Sequence, residues 1–123
     1  MDATAIELSG TLWPSTAPNS YLLKLNIGVA NLSLTPEGER WNGQVEVNVA
    51  GRDNAGNAYN PLMETFGLNL RQESYDRMLK EGLPSGKNLQ FDPRASSVRV
   101  IVRDKSSGGV GTLTIPVSDG ASQ

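Results

Sequence analysis

Aliphatic side chains return at every second position in several separate stretches of this chain, and that period restricts its fold more than any other feature. Val98, Val100 and Val102 point one way while Arg99 and Arg103 point the other, which is the pattern of a strand with one buried face. Val110, Thr112 and Thr114 then oppose Leu113, Ile115 and Val117. The polar, glycine-rich Lys105-Ser106-Ser107-Gly108-Gly109 between the two runs closes them into an antiparallel hairpin.

The same alternation appears upstream. Ile6, Leu8, Gly10 and Leu12 oppose Glu7, Ser9, Thr11 and Trp13 in a first strand that Pro14 ends. Tyr21, Leu23, Leu25, Ile27 and Val29 form the longest regular run, predicted as a central strand that Leu32 and Leu34 prolong past a bend. Val45, Val47 and Val49 give a third strand ending at Gly51, and Phe66, Leu68 and Leu70 a fourth over 65–71. Leu89 and Phe91 mark a short strand, with turns expected at 36–39, 52–57 and 92–95. One segment, 72–81, reads as helix: Tyr75, Met78 and Leu79 fall at i, i+3 and i+4, Gly82 supplies a left-handed stop, and Pro84 bars continuation. The expectation is therefore all-β, about seven antiparallel strands and one short helix, the count of an immunoglobulin- or fibronectin-type-III-like β-sandwich. A chain of 123 residues holds one such core, so a single domain over 1–118 is expected, with 119–123 a flexible tail.

Charge and composition narrow function mainly by exclusion. Eleven basic and thirteen acidic residues are interspersed along the chain, so neither nucleic acid nor an anionic membrane surface is an expected partner. The absence of Cys removes thiolate chemistry and leaves the compartment open; the absence of His removes the commonest general base and transition-metal ligand. No apolar run approaches the roughly 20 residues of a membrane helix, and the first residues lack the pattern of a secretory signal. No acid–base pair stands at a useful spacing, so neither an enzyme nor a cofactor is expected.

The run from Glu73 to Val117 adds a resemblance. A helix with Ser-Tyr and Met-Leu, then Glu81-Gly82-Leu83-Pro84, a Pro-containing turn, Val98-Arg99-Val100-Ile101-Val102-Arg103-Asp104, and Gly108-Gly109-Val110-Gly111-Thr112-Leu113-Thr114-Ile115-Pro116-Val117 together resemble the C-terminal module of acidobacterial proteins related to von Willebrand factor A. The likeness covers about the last 45 residues well and Ile6 to Asp53 loosely. It implies a non-catalytic β-sandwich appendage of a larger protein, extracytoplasmic if that protein is exported. Two departures stand out. Ser96 and Ser97 occupy the place where such strands usually carry a corner Tyr, and the Asp-x-Ser-x-Ser signature of the von Willebrand A metal site is missing.

Several residue groups are candidates for chemistry or binding. Asp53-Asn54-Ala55-Gly56-Asn57 with Asn60 offers oxygens around a Gly, but it lacks the alternating acids and terminal Glu of a calcium loop and reads as a turn. The glycine-rich stretch 105–111 is followed by a strand, whereas a phosphate loop opens a helix; its adjacent Lys105 and Ser106 have no third group to orient them as a nucleophile. Trp13 and Trp41, with Tyr21 and Tyr59, are the candidates for a sugar-stacking platform, weighed against rings that cover the margins of the core. Arg99 and Arg103, grouped with Glu46 and Lys24, are the candidates for a protein interface, since Arg is enriched there. The leading expectation is a non-catalytic interaction or spacer module that contacts a protein partner or an adjacent domain; the alternative is a carbohydrate-binding module using Trp13 or Trp41. Exposed sheet edges also permit a homodimer.

Overall fold

A computed structural model describes residues 6–117. In chain order these form β1 (Leu8–Pro14), β2 (Ser20–Ile27), a 3-10 turn (Val29–Asn31), β3 (Thr35–Glu37), β4 (Arg40–Arg52), β5 (Ala58–Arg71), α1 (Gln72–Glu81), β6 (Leu83–Gln90), β7 (Ser97–Asp104) and β8 (Val110–Pro116). They build an all-β sandwich. One sheet has the order β1-β2-β6; the other runs β5-β4-β7-β8, with β3 beside the first residues of β4 on the edge that β7 uses further along. Every pairing is antiparallel.

The alternation explains the core. Leu23, Leu25 and Ile27 of β2 turn inward, and Val45, Val47, Val49, Val98, Val100 and Val102 of the opposing sheet meet them, all buried. Each such side chain contributes about 1.5–3 kcal/mol when fully buried, so neither sheet is stable without the other. The two sides of the sandwich are closed differently. On one, Ile6 lies against Gly111 of β8, where any added Cβ would overlap its backbone oxygen. On the other, the edge strands β5 and β6 are bridged by Lys87 and Glu64, 2.8 Å apart; both pair with inward-facing positions, Leu23 and Val47. Inward charges on edge strands discourage the addition of a further strand.

The described residues form the roughly seven strands expected and one more, the short β3, and three of the expected strands run longer than short-range pattern indicates. β4 begins at Arg40, and β5 begins at Ala58, well before the Phe66 alternation. A bulge at Asn60 and Pro61, with Asn60 at φ 51°, lets β5 carry a proline, and its outer edge needs no ladder donor there. β6 starts directly after the helix and also carries its proline, Pro84, on an edge strand; Phe91 lies just beyond it, buried. Val29 leaves the β2 alternation for the 3-10 turn yet remains buried, and the predicted turn at 36–39 is in part β3, turning at Gly38 with φ 65°.

The helix spans the expected residues and docks through Tyr75 and Met78, while Leu79 is exposed. Its stop differs from the expected left-handed one. Gly82 has φ 81° and ψ 175°, an extended conformation of the mirror-image region, while Asn26 Nδ2 of β2 donates to the Glu81 carbonyl at 2.9 Å. The serine that stands in place of the corner Tyr also finds its partners: the Ser96 amide and hydroxyl both donate to the Arg52 carbonyl, at 2.7 and 3.2 Å. The predicted tail, 119–123, lies outside the described residues.

Candidate functional site

The aromatic residues are dispersed. Trp13 stands on the outer face of the three-stranded sheet opposite Leu22, 54% exposed, its Nε1 donating to Thr11 Oγ1 of its own strand. Trp41 is half-buried under α1: its ring stacks on Tyr75 with centroids 4.4 Å apart, and its Nε1 donates to Gln72 Oε1 at 2.9 Å. It thus fastens the helix to the sandwich, beside a polar cleft of about 640 Å³ that Arg40, Arg71 and Glu73 also line. Tyr21 packs on Phe91, and Tyr59 lies beneath the Arg94 guanidinium. The four rings therefore share no platform.

The oxygen-rich turns are occupied by their own hydrogen bonds. Asp53 accepts from the Ala55 and Asn57 amides, both at 2.9 Å, from Asn57 Nδ2 at 3.0 Å and from the Tyr59 hydroxyl at 2.7 Å. Those bonds, Asn57 foremost and then Tyr59, hold its carboxyl well below the usual carboxylate range. Among the described residues no three acidic groups converge as a metal site would require. At the other end, Asp104 is 2% exposed and accepts from the Ser33 amide at 2.6 Å, the Ser106 amide at 2.9 Å and the Ser107 hydroxyl at 3.1 Å. Burial is the largest single influence on this carboxyl and opposes its charge; the donors from Ser33, Ser106 and Ser107 together outweigh it and leave its pKa lowered. Asp104 staples the β7–β8 loop to the segment ahead of β3. The sequence reading gave Asp104 no role, although the signal was there: it is in phase with Val98, Val100 and Val102, the inward row of the strand.

What the sequence reading missed is the charge of one sheet face. Arg99, Ile101 and Arg103 project outward from β7, opposite Ala50, Asn48 and Glu46 of β4. Beyond β4, Met63 of β5 lies opposite Asn48, continuing the row of Ile101, and Met63 is 61% exposed. Register places Arg52, Arg40 and Arg71 on the same face, the last two directly opposite each other. Five of the chain's seven arginines therefore share this face with Glu37 and Glu46, while Glu39 and Glu73 line the cleft beside Arg40 and Arg71. Lys24, grouped with Arg99 and Arg103 from the sequence, belongs instead to the outer face of the other sheet. The charges are scattered along the chain, and strand pairing gathers them.

Within this face, a shallow groove of about 360 Å³ runs between β4, β5 and β7, floored by Ala50, Met63 and Ile101 and flanked by Arg52 and Arg99. Arg99 donates to Thr114 Oγ1 at 3.1 Å. Arg52 reaches the Gly56 carbonyl only at 3.4 Å, and its Nε has no acceptor. No protein-family model, curated protein or solved structure matches this chain.

Proposed function

We propose that this domain is a non-catalytic interaction module that docks a protein partner, or a neighbouring domain of a longer chain, through the outer face of its five-stranded sheet. The observation that carries the reading is the grouping of Arg99, Arg103, Ile101 and exposed Met63 on the outer surface of one sheet. Arg and Met are enriched at protein interfaces, and a mixed surface of this kind joins an apolar centre to charged flanks. The strand order, β1-β2-β6 against β5-β4-β7-β8, supports an immunoglobulin- or fibronectin-type-III-like sandwich, an architecture common in surface and adhesion modules, and it agrees with the resemblance to an appended module. The carbohydrate alternative rests on Trp13 alone, since Tyr75 covers one face of Trp41.

The test compares variants of opposite faces. Proteins captured from the native source by the wild-type chain should be retained by Lys24→Glu and lost by Arg99→Glu with Arg103→Glu, each variant first shown to be folded by circular dichroism. Equal capture by both variants would refute this face, and saturable quenching of Trp13 fluorescence by a polysaccharide would move the reading to sugar binding.

A further inference from the structure

We infer that the groove beside β7 takes an extended acidic segment of the form acid–x–aliphatic–x–acid, an inference that rests on the docking face proposed above and names its partner's chemistry.

The spacing carries the argument. Along β7, Arg99 and Arg103 stand two residues to either side of Ile101, which places their Cα atoms each about 7 Å from it at the rise of a strand. An extended peptide presents residues i, i+2 and i+4 on one side at the same interval. Its central aliphatic side chain then lies over the row of Ile101, Asn48 and Met63; one carboxylate reaches Arg99 in the groove, and the other reaches Arg103, which stands on β7 just beyond the groove lining. The two ends are unequal. Arg99 lies opposite Ala50, so Arg52 is its diagonal neighbour and both line the groove; together they offer two planar forks suited to bidentate carboxylate binding. The guanidinium end of Arg52 is held by one long bond to the Gly56 carbonyl, while its Nε is buried without an acceptor among the described residues. Arg103 lies opposite Glu46, which offsets part of its pull on an anion. The carboxylate at the Arg52–Arg99 end therefore matters more.

A polyphosphate fits less well. The aromatic side chains that stack bases in single-strand binders are missing here, because Trp41, Tyr59 and Phe66 belong to the inward-facing rows of β4 and β5. Glu46 interrupts the positive strip, and Ala50, Met63 and Ile101 in the floor offer a phosphate backbone no hydrogen bond.

Fluorescence anisotropy of the full chain with a labelled peptide Gly-Glu-Thr-Leu-Thr-Glu-Gly tests this, beside a Lys-for-Glu peptide, a Ser-for-Leu peptide and a short single-stranded oligonucleotide. The acidic peptide should bind, weakening as salt rises. The Lys peptide should not bind, and the Ser peptide should lose affinity. Arg52→Gln with Arg99→Gln should lower affinity about tenfold, the scale of one charge-assisted hydrogen-bond set, Arg103→Gln should lower it less, and Lys24→Gln should leave it unchanged. Equal binding of the oligonucleotide, no binding of the acidic peptide, or indifference to the paired glutamines in a folded variant would overturn the inference. Should the acidic peptide fail while partner capture still depends on Arg99 and Arg103, the docking face stands and only the acidic motif falls.

Discussion

Gly82→Ala tests how the helix is joined to the sandwich. At φ 81° and ψ 175° the residue occupies a region that is essentially restricted to glycine, and an L-alanine held there costs about 1–3 kcal/mol. The new Cβ would also overlap Asn26 Oδ1, so the Asn26 side chain must swing away and give up its 2.9 Å bond to the Glu81 carbonyl, a further loss of about 0.5–1.5 kcal/mol. The two together predict a destabilisation of about 1.5–4.5 kcal/mol, read as a lower urea midpoint at unchanged slope. A double-mutant cycle separates the causes: in an Asn26→Ala background the overlap and the bond are already gone, so Gly82→Ala should cost about 1 kcal/mol less than in the wild type. A cost under about 0.5 kcal/mol, or strict additivity with Asn26→Ala, would refute the reasoning from backbone conformation and from steric overlap respectively.

Val100 is fully buried between the sheets, so Val100→Asp, which places an unpaired charge there, should abolish the cooperative melt; a transition near wild type would contradict the facing assigned to β7. Trp41→Ala should cost about 2–3 kcal/mol through the lost stack on Tyr75 and loosened helix, whereas Trp13→Ala, at an exposed site, should cost under about 1 kcal/mol; equal costs would argue against the different surroundings of the two rings. Because the Asp104 carboxyl titrates below its usual 3.8 when folded, its contribution is fully present above about pH 4 and is lost as pH falls through the lower folded value. Asp104→Asn should therefore be less stable at pH 7 by about 2 kcal/mol and should lose less further stability on acidification, the residual loss coming from groups such as Asp92, held at about 2 by Arg94; parallel acid limbs for the two proteins would refute the role of the carboxylate.

Local pattern made much of this protein legible. Period two placed the inward rows of β2, β4, β7 and β8, the helix stripe and its end were written in Tyr75, Met78 and Gly82, and Asp104 shared the phase of the β7 valines. Other features escaped because no short window contains their cause. β5 runs through Pro61 because β4 supplies a partner on one side only, and β6 forms from Leu83 because β2 lies beside it. The stack of Trp41 on Tyr75 joins residues from a strand and a helix that no periodicity relates.

The arginine face makes the division plain. Alternation settled, for their own strand, that Arg99 and Arg103 turn away from the valines beside them, since successive side chains leave a strand on opposite sides, whereas Arg52 fell in an expected turn and joined the face only through the longer β4. It could not settle which strands share a sheet, so Lys24 looked equivalent to them although it stands on the far side of the molecule. Pairing and register are contacts between distant parts of the chain, formed to bury the aliphatic rows, and the charges were carried to one face or the other as a consequence.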